Sequence, residues 1–207
     1  MAAMSTVPER APYAVAARKL LRETLFGAAR DELQHRTWSE VTMAEVAAAA
    51  GVSRQTLYKE FGSRDEFAQA FVIHEGERFL DIVETAVREH LGDPHAAVGA
   101  ALDTFLRTAG EDPLVRMMLS DDGTGGMLPF VTTQGMPIVL WATARLATVI
   151  QEGWPQAPAE KTQLLAESLV RLAISYITVP TAPTEATAAA AGELLGPFID
   201  EALGTRD

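Results

Sequence analysis

Five polar side chains form one outward face of a short predicted helix near the amino end of the chain. Counting about 100° per residue from the inward-facing Leu57 and Phe61 places Gln55 and Lys59 on the opposite side of this helix. The complete face is Arg54, Gln55, Thr56, Tyr58 and Lys59. Arg can hydrogen-bond the guanine edge and Gln the adenine edge, and the Thr methyl can contact the thymine methyl. Tyr and Lys can bind phosphates. The face therefore predicts a helix that reads the major groove of DNA.

The elements that position this face are two short helices joined by a tight turn within residues 42–61. Thr42 and Glu45 have the spacing of a capping box at the start of the first helix, and Ser53 is placed to cap the second. Gly51 ends the first helix, where a left-handed residue is needed. These signals predict a helix-turn-helix. The alternative is an incidental pair of short helices inside an all-α core.

The run WSEVTMAEVAAAAGVSRQTLYKEFGSRDEFAQAF, from Trp38 to Phe71, resembles the DNA-binding domain of TetR-family transcriptional regulators. The shared features are an AGVS turn, an LY pair and a following capped helix. The resemblance covers about residues 14–75 and implies that the polar helix is the recognition helix. It also implies phosphate contacts at Thr42 and Arg64. Glu60 stands where the family often has His, and we expect a carboxylate there to repel a phosphate.

Together, the residue types and the resemblance assign DNA-binding roles to one set of side chains. That set is Thr42, Ser53, Arg54, Gln55, Thr56, Tyr58, Lys59 and Arg64. For Arg10, Arg18 and Lys19 a minor-groove or phosphate role competes with simple solvation, and solvation is the favoured explanation.

Charge divides the chain into two parts. The whole chain has a net charge of −11, but residues 1–64 hold nine Lys and Arg against seven Asp and Glu, a net of +2. The rest holds eight against 21, a net of −13. We expect a flexible arm at 1–13, a helix-turn-helix domain at 14–64, and a ligand-binding and dimerisation domain at 65–207.

Helical spacing recurs between the Pro and Gly residues over nearly the whole chain, and no stretch shows the sustained alternation of a strand. The Asp-Pro pairs at 93–94 and 112–113 indicate helix starts. Residues 121–126 have the composition of a loop. The sequence predicts an all-α fold of about nine helices, or ten if 127–136 contains a separate one.

Met and aromatic residues collect in the middle of the chain, where they indicate either ordinary core or the wall of an apolar cavity. In TetR-like proteins the pocket lies between helices four to eight, so the resemblance implies a cavity here. We expect an elongated, apolar, fatty-acid-like effector, with an Arg facing any carboxylate that it carries. The candidate pocket residues are Phe105, Met117, Met118, Phe130, Trp141 and Arg145.

The last two long helices are apolar on more than one side. The domain itself must cover one side, and we expect a second copy of the chain to cover another, since two recognition helices read a palindrome. The resemblance implies the same, because TetR-type regulators dimerise through a four-helix bundle of their last two helices. The candidate interface residues are Leu165, Leu169, Leu172, Tyr176, Leu194, Leu195 and Phe198.

The sequence offers little support for catalysis. Cysteine is absent, the four His residues have no partner at metal-ligand spacing, and no GxSxG, phosphate loop or GxGxxG occurs. We therefore expect neither an enzyme, nor a cofactor, nor a metal site. No apolar run suits a signal peptide or a membrane span, which favours a cytoplasmic protein without a membrane partner. Arg outnumbers Lys fourteen to three, which is typical of a GC-rich bacterial genome.

The function that these features predict is a homodimeric transcriptional repressor, which a small apolar ligand releases from a palindromic DNA operator. The alternatives are an all-α ligand-binding protein or enzyme without DNA binding, and a helical adaptor that binds other proteins. An activator of the same fold has the same sequence features.

Overall fold

The computed structural model describes residues 13–119 and 126–204, and these residues form ten helices and no strand. In chain order the helices are α1 (Tyr13–Leu33), α2 (Met43–Ala49), α3 (Arg54–Phe61), α4 (Arg64–Arg88), α5 (Pro94–Glu111), α6 (Pro113–Leu119), α7 (Leu128–Val131), α8 (Met136–Gly153), α9 (Ala159–Thr178) and α10 (Thr184–Leu203). The all-α prediction is confirmed, and α7 is the optional tenth helix. The predicted arm and the loop at 121–126 lie almost wholly outside the described residues.

Local side-chain signals set the ends of the short helices. The Thr42 hydroxyl accepts a hydrogen bond from the Glu45 N–H at 3.2 Å, and the Glu45 carboxylate accepts one from the Thr42 N–H at 2.8 Å. The Ser53 hydroxyl caps α3 in the same way. Gly51 and Gly62 end α2 and α3 with φ values of +70° and +84°, where a side chain would be strained. The predicted helix-turn-helix is present.

A first core lies beneath the helix-turn-helix and is rich in aromatic rings. The Phe67 ring centre lies 4.8 Å from that of Phe61 and 5.6 Å from that of Phe26, and Phe71 is fully buried beside them. Each such ring contributes about 1.5–3 kcal/mol by leaving water. Side chains from α1, α2, α3, α6, α7 and the amino half of α4 build this core.

A second core is formed by α5, α8, α9, α10 and the carboxyl half of α4. Helix α9 packs on α8, and α10 packs on α5. Helix α4 belongs to both cores, since Phe67 and Phe71 lie in the first whereas Leu80 and Val83 lie in the second. Helix α4 therefore runs through both cores.

None of the helices in the described ranges is long and apolar enough to cross a lipid bilayer.

Candidate nucleic-acid interface and apolar cavity

Helix α3 has one buried face and one polar face. Leu57 is completely buried against the first core, and Phe61 is nearly so. On the opposite side Arg54, Gln55 and Lys59 are exposed, while Thr56 and Tyr58 are half-buried. The Arg54 guanidinium lies 5.2 Å from the centre of the Tyr58 ring, which holds it along the helix. The structure thus brings together the side chains expected to meet DNA, and their contact with DNA stays a prediction.

Thr42 and Ser53 occupy the amino ends of α2 and α3. Their hydroxyl groups cap these helices, and the Ser53 and Thr56 hydroxyl oxygens are 2.9 Å apart. Hydrogen bonds from the Thr42 hydroxyl and N–H, together with one from Arg36, lower the pKa of Glu45 to about 2. The Glu45 carboxylate of the capping box is therefore fully ionised at neutral pH. These hydroxyls fix the start of each helix whether or not they also touch phosphate.

Arg64 is engaged inside the protein. Its guanidinium lies 4.5 Å from the centre of the Trp38 ring, and its Nη2 donates a hydrogen bond to the Trp38 carbonyl. This contact ties the start of α4 to the segment before α2. A phosphate contact by Arg64, which the resemblance implies, must share the guanidinium with Trp38.

Glu60, expected to repel phosphate, does not point freely into solvent. Arg18 and Arg22 of α1 both contact its carboxylate, so the negative charge is balanced within the protein.

An apolar cavity of about 90 Å³ lies in the second core between α4, α5, α8 and α9. Two of the candidate pocket residues, Phe105 and Trp141, line it, and Gly76 and Phe79 of α4 form the facing wall. Every described residue of the lining is apolar or glycine. A site of this kind selects for hydrocarbon surface, because it has no polar group to orient a polar ligand.

The other candidate pocket residues lie elsewhere. Met118 and Phe130 are buried in the first core, and Met117 packs against that core from its edge. The reason is the path of the chain, since α6 and α7 return to α1 and to the amino half of α4. The prediction that these three residues line the apolar cavity is corrected accordingly.

Arg145 is also not placed to receive a ligand carboxylate in this structure. Its Nη2 lies 2.9 Å from Oδ1 of Asp81 and also contacts Glu84, both on α4. The guanidinium lies 5.9 Å from the centre of the Trp141 ring. Arg145 therefore packs against Trp141, a residue of the cavity wall, and its guanidinium already pairs with two acidic residues.

The expected dimer residues fall into three groups. Leu165 and Leu169 are buried at 0% and 4% exposed, because this side of α9 packs into the second core. They are corrected from interface to core. Leu194 is 70% exposed on α10 and stays a candidate. The remaining four are half-buried: Leu172, Tyr176, Leu195 and Phe198.

Sequence reasoning missed the exposed apolar residues of α9. Leu164 is 54% exposed, and Val179, just past the helix end, is 67% exposed. The stripe of apolar residues on α9 is broad, so the spacing does not say which edge faces inward. Gly76 was missed too, although a lone Gly inside a long helix is a signal of close packing.

A second ion network joins the two cores. Glu75 of α4 is only 4% exposed, and its Oε2 lies 3.0 Å from Nη1 of Arg30 in the last turn of α1. Arg78 pairs with Asp112 at 3.1 Å, and the Asp112 carboxylate caps α6 through the Leu114 N–H at 2.8 Å. Burial is the main cause that raises the pKa of Glu75, and the positive charge of Arg30 opposes it.

Two family models match the chain. One, described as bacterial regulatory proteins of the tetR family, matches residues 25–71. The other, described as the bacterial tetracyclin repressor C-terminal domain, matches residues 93–197, about half of the chain. The chain belongs to the TetR family. As a member, it is a DNA-binding transcriptional regulator, and α2 and α3 are its helix-turn-helix.

Individual relatives agree with this assignment. The TetR-family chain is 35% identical over 192 residues to the HTH-type transcriptional regulator AlkX of Mycobacterium tuberculosis. The aligned region spans 93% of this chain and 91% of the relative. The crystal structure of the TetR family repressor AlkX from Dietzia sp., implicated in biodegradation of n-alkanes, matches with a TM-score of 0.76 at 34% identity, covering 88% of this chain and 96% of that one. A TetR-family transcriptional regulator from Pectobacterium atrosepticum shares the fold, with a TM-score of 0.62, 17% identity, and 93% and 98% coverage.

Proposed function

We propose that this TetR-family regulator is a homodimeric repressor, and that a small apolar effector releases it from a palindromic operator. The observation that carries the proposal is the double role of α4. Its amino half supports the helix-turn-helix, and its carboxyl half forms a wall of the apolar cavity. One rigid helix therefore connects the surface proposed for DNA with the space proposed for the effector.

The proposed DNA contacts follow from the polar face of α3. Arg54 and Gln55 lie in its first turn, the end of a recognition helix that reaches base edges. Lys59, one turn later, is placed to meet a phosphate. The net charge of +2 over residues 1–64 supports attraction to DNA, although the rest of the chain is acidic.

The proposed effector class follows from the cavity. A dry protein cavity of about 150 Å³ holds a molecule the size of benzene, and this one has about 90 Å³. A longer hydrocarbon must therefore push its walls apart. Gly76 and Phe79 transmit that push to α4, which tilts the helix-turn-helix. An effector preference of about 1–3 kcal/mol for the tilted form lowers operator affinity about 5- to 150-fold.

The Dietzia relative supports the same ligand class, since it is described as implicated in the biodegradation of n-alkanes. Alkanes are unbranched apolar chains, which match a lining without polar side chains. Because Arg145 already pairs with Asp81 and Glu84, we propose that the hydrocarbon chain supplies the binding energy.

The proposed dimer uses the outer faces of α9 and α10. Leu164, Val179 and Leu194 are all more than half exposed there. A dimer that covers these side chains removes apolar surface from water and pairs two recognition helices. The two helices then read two half-sites about 34–36 Å apart along the duplex.

A single set of measurements tests this function. Duplexes that bind the purified full chain are selected from a random pool, and binding is measured with and without n-alkanes and fatty acids of equal chain length. We expect palindromic duplexes and release by at least one of the two hydrocarbon series. Failure to bind any duplex at low salt contradicts the DNA role. Unchanged melting temperature and operator affinity with every hydrocarbon contradict the effector role.

A further inference from the structure

The last turn of α3 is held against α1 by a three-residue ion cluster. Nε of Arg18 donates to both carboxylate oxygens of Glu60, at 2.8 and 2.9 Å, and Nη1 of Arg22 donates to Oε1 at 2.9 Å. The Glu60 side chain is 10% exposed, whereas that of Arg18 is 64% exposed. The carboxylate therefore faces α1, and the arginine stays open to the surface.

Aromatic rings fix the inner arginine from a second side. The Arg22 guanidinium lies 4.5 Å from the centre of the Phe61 ring and 5.5 Å from that of Phe26. Phe61 is the buried anchor at the end of α3. Because Arg22 is bound by both the carboxylate and the rings, the bridge between α1 and α3 has a defined geometry.

The cluster as a whole is cationic. Burial alone would raise the pKa of Glu60, but hydrogen bonds from Arg22 and Arg18 lower it below its ordinary value. The carboxylate is therefore ionised at neutral pH, and two guanidinium groups outnumber it. The cluster therefore attracts a polyanion, whereas an unpaired carboxylate at this position would repel it.

Arg18 lies beside the last turn of α3, so it would stand at the edge of a DNA groove that α3 entered. A helix with its side chains is about 10–12 Å across, and the major groove is about 12 Å wide, so groups beside the helix meet the phosphate walls. Arg18 contacts Glu60, the residue after Lys59 in the same turn. Within the described residues Arg18 donates to Glu60 through Nε, and a guanidinium carries further donors on its two Nη atoms.

We propose that Glu60 is a positioning residue for DNA recognition, which fixes α3 against α1 and holds the Arg18 guanidinium toward a backbone phosphate. The inference rests on the proposed role of α3 in reading DNA and goes beyond it. It gives an ordering role to a carboxylate that was expected to repel phosphate, and it adds Arg18 to the DNA-contacting residues.

The test compares Glu60→Gln with Glu23→Gln in the full chain. Glu23 is an exposed acid on α1 that pairs with Lys19 at 3.7 Å, so its substitution removes the same charge and leaves the bridge intact. Affinity is measured against salt for two probes, a duplex selected by the wild-type protein and a random-sequence duplex. The ratio of the two affinities reports sequence recognition, which a change of net charge alone does not alter.

We expect Glu60→Gln to weaken binding to the selected duplex about tenfold, while binding to the random duplex is unchanged or stronger. Glu23→Gln should leave the ratio at the wild-type value. Equal strengthening on both probes overturns the proposal, because Glu60 would then only repel phosphate. A lower melting temperature with an unchanged ratio also overturns it, because the bridge would then serve folding alone.

Arg18→Gln provides a second variant that keeps Arg22, its rings and the Glu60 pair. It should weaken binding to both probes and reduce the slope of log affinity against log salt by about 0.9, the value of one phosphate contact. An unchanged slope overturns the phosphate contact of Arg18. Gln55→Ala distinguishes the proposals: if it relaxes sequence preference while Glu60→Gln has no effect, α3 reads DNA without this bridge.

Discussion

Nη1 of Arg30 lies 3.0 Å from Oε2 of Glu75, across the boundary between the first and the second core. Glu75 is almost fully buried in the middle of α4, and the next residue, Gly76, lines the apolar cavity. Glu75 therefore links the cavity-lining part of α4 directly to Arg30 of α1. The pair is a physical connection between cavity and α1, and its coupling energy is measurable.

The pH dependence of stability should reveal the buried Glu75. Its pKa is raised above the ordinary 4.5, so the folded state binds its proton more tightly than the unfolded state. Its contribution to stability is full below pH 4.5 and is lost as the pH rises through the raised pKa. The Gln side chain of Glu75→Gln stays neutral at every pH. The free energy of unfolding of this variant should therefore increase relative to that of the wild type as the pH rises. Urea unfolding in steps from pH 4.5 to 7.5 measures this difference, and a constant difference contradicts it.

Filling the space at Gly76 should weaken the effector response. A Cβ there would lie 3.2 Å from Cζ3 of Trp141 and 3.6 Å from Cδ1 of Ile138, so Gly76→Ala narrows the cavity. We expect stability within about 1 kcal/mol of the wild type, because helix propensity and crowding oppose each other. Release by hydrocarbons should need at least about fivefold more effector.

Gly99→Ala is the matched control for Gly76→Ala. Gly99 lies inside α5, and nothing stands within 4 Å of its added Cβ. It should stabilise the protein by about 0.4–1 kcal/mol and leave the effector response unchanged. Calorimetry and operator titration compare the two variants. Equal responses in both would mean that the cavity beside Trp141 is not the effector site.

Substitutions of the α3 residues proposed to read bases and to bind phosphate should have different effects on DNA binding. Gln55→Ala should cost about 1–3 kcal/mol on the selected operator and relax preference at one base pair. Lys59→Ala should weaken binding to all DNA sequences alike and reduce the slope of log affinity against log salt by about one. Binding of each variant to operators with single base-pair changes, at several salt concentrations, separates the two effects. A Gln55→Ala protein with wild-type preference at every position would contradict the orientation of α3.

A charge on the proposed dimer face should separate the protomers. Leu194 on α10 is 70% exposed, and Leu194→Glu puts a carboxylate where we propose that a second copy packs. Leu140→Glu on α8, at 62% exposed, is the matched control. We expect Leu194→Glu to sediment as a monomer at micromolar concentration and to lose more than about 100-fold in operator affinity. If both variants behave alike, the interface lies elsewhere.

The helix-turn-helix was readable from the sequence because its signals are local. The capping box joins Thr42 to Glu45, three residues apart, and Gly51 needs only its own backbone angle. The polar face of α3 follows from 100° of rotation per residue, counted from Leu57. No distant part of the chain is needed for any of these inferences.

The apolar cavity and the exposed face that we propose for the dimer depended on the path of the chain. Phe105 and Met118 have similar chemistry, yet one lines the cavity and the other lies in the first core, because α6 turns back toward α1. Leu164 and Leu165 are neighbours about 100° apart on α9, and packing against α8 buries only the second. Periodicity shows that such residues are apolar and helical, but it does not show which neighbour covers them.

The sequence by itself determined an all-α regulator with a helix-turn-helix at its amino end, because helix periods, caps and turns act over a few residues. Only the tertiary structure decided the ion pairs of Glu60 with Arg18 and of Glu75 with Arg30, which join positions about 40 residues apart. Charges separated by that distance have no periodic signature. They meet only because α1, α3 and α4 pack around one aromatic core, and that packing is a property of the whole chain.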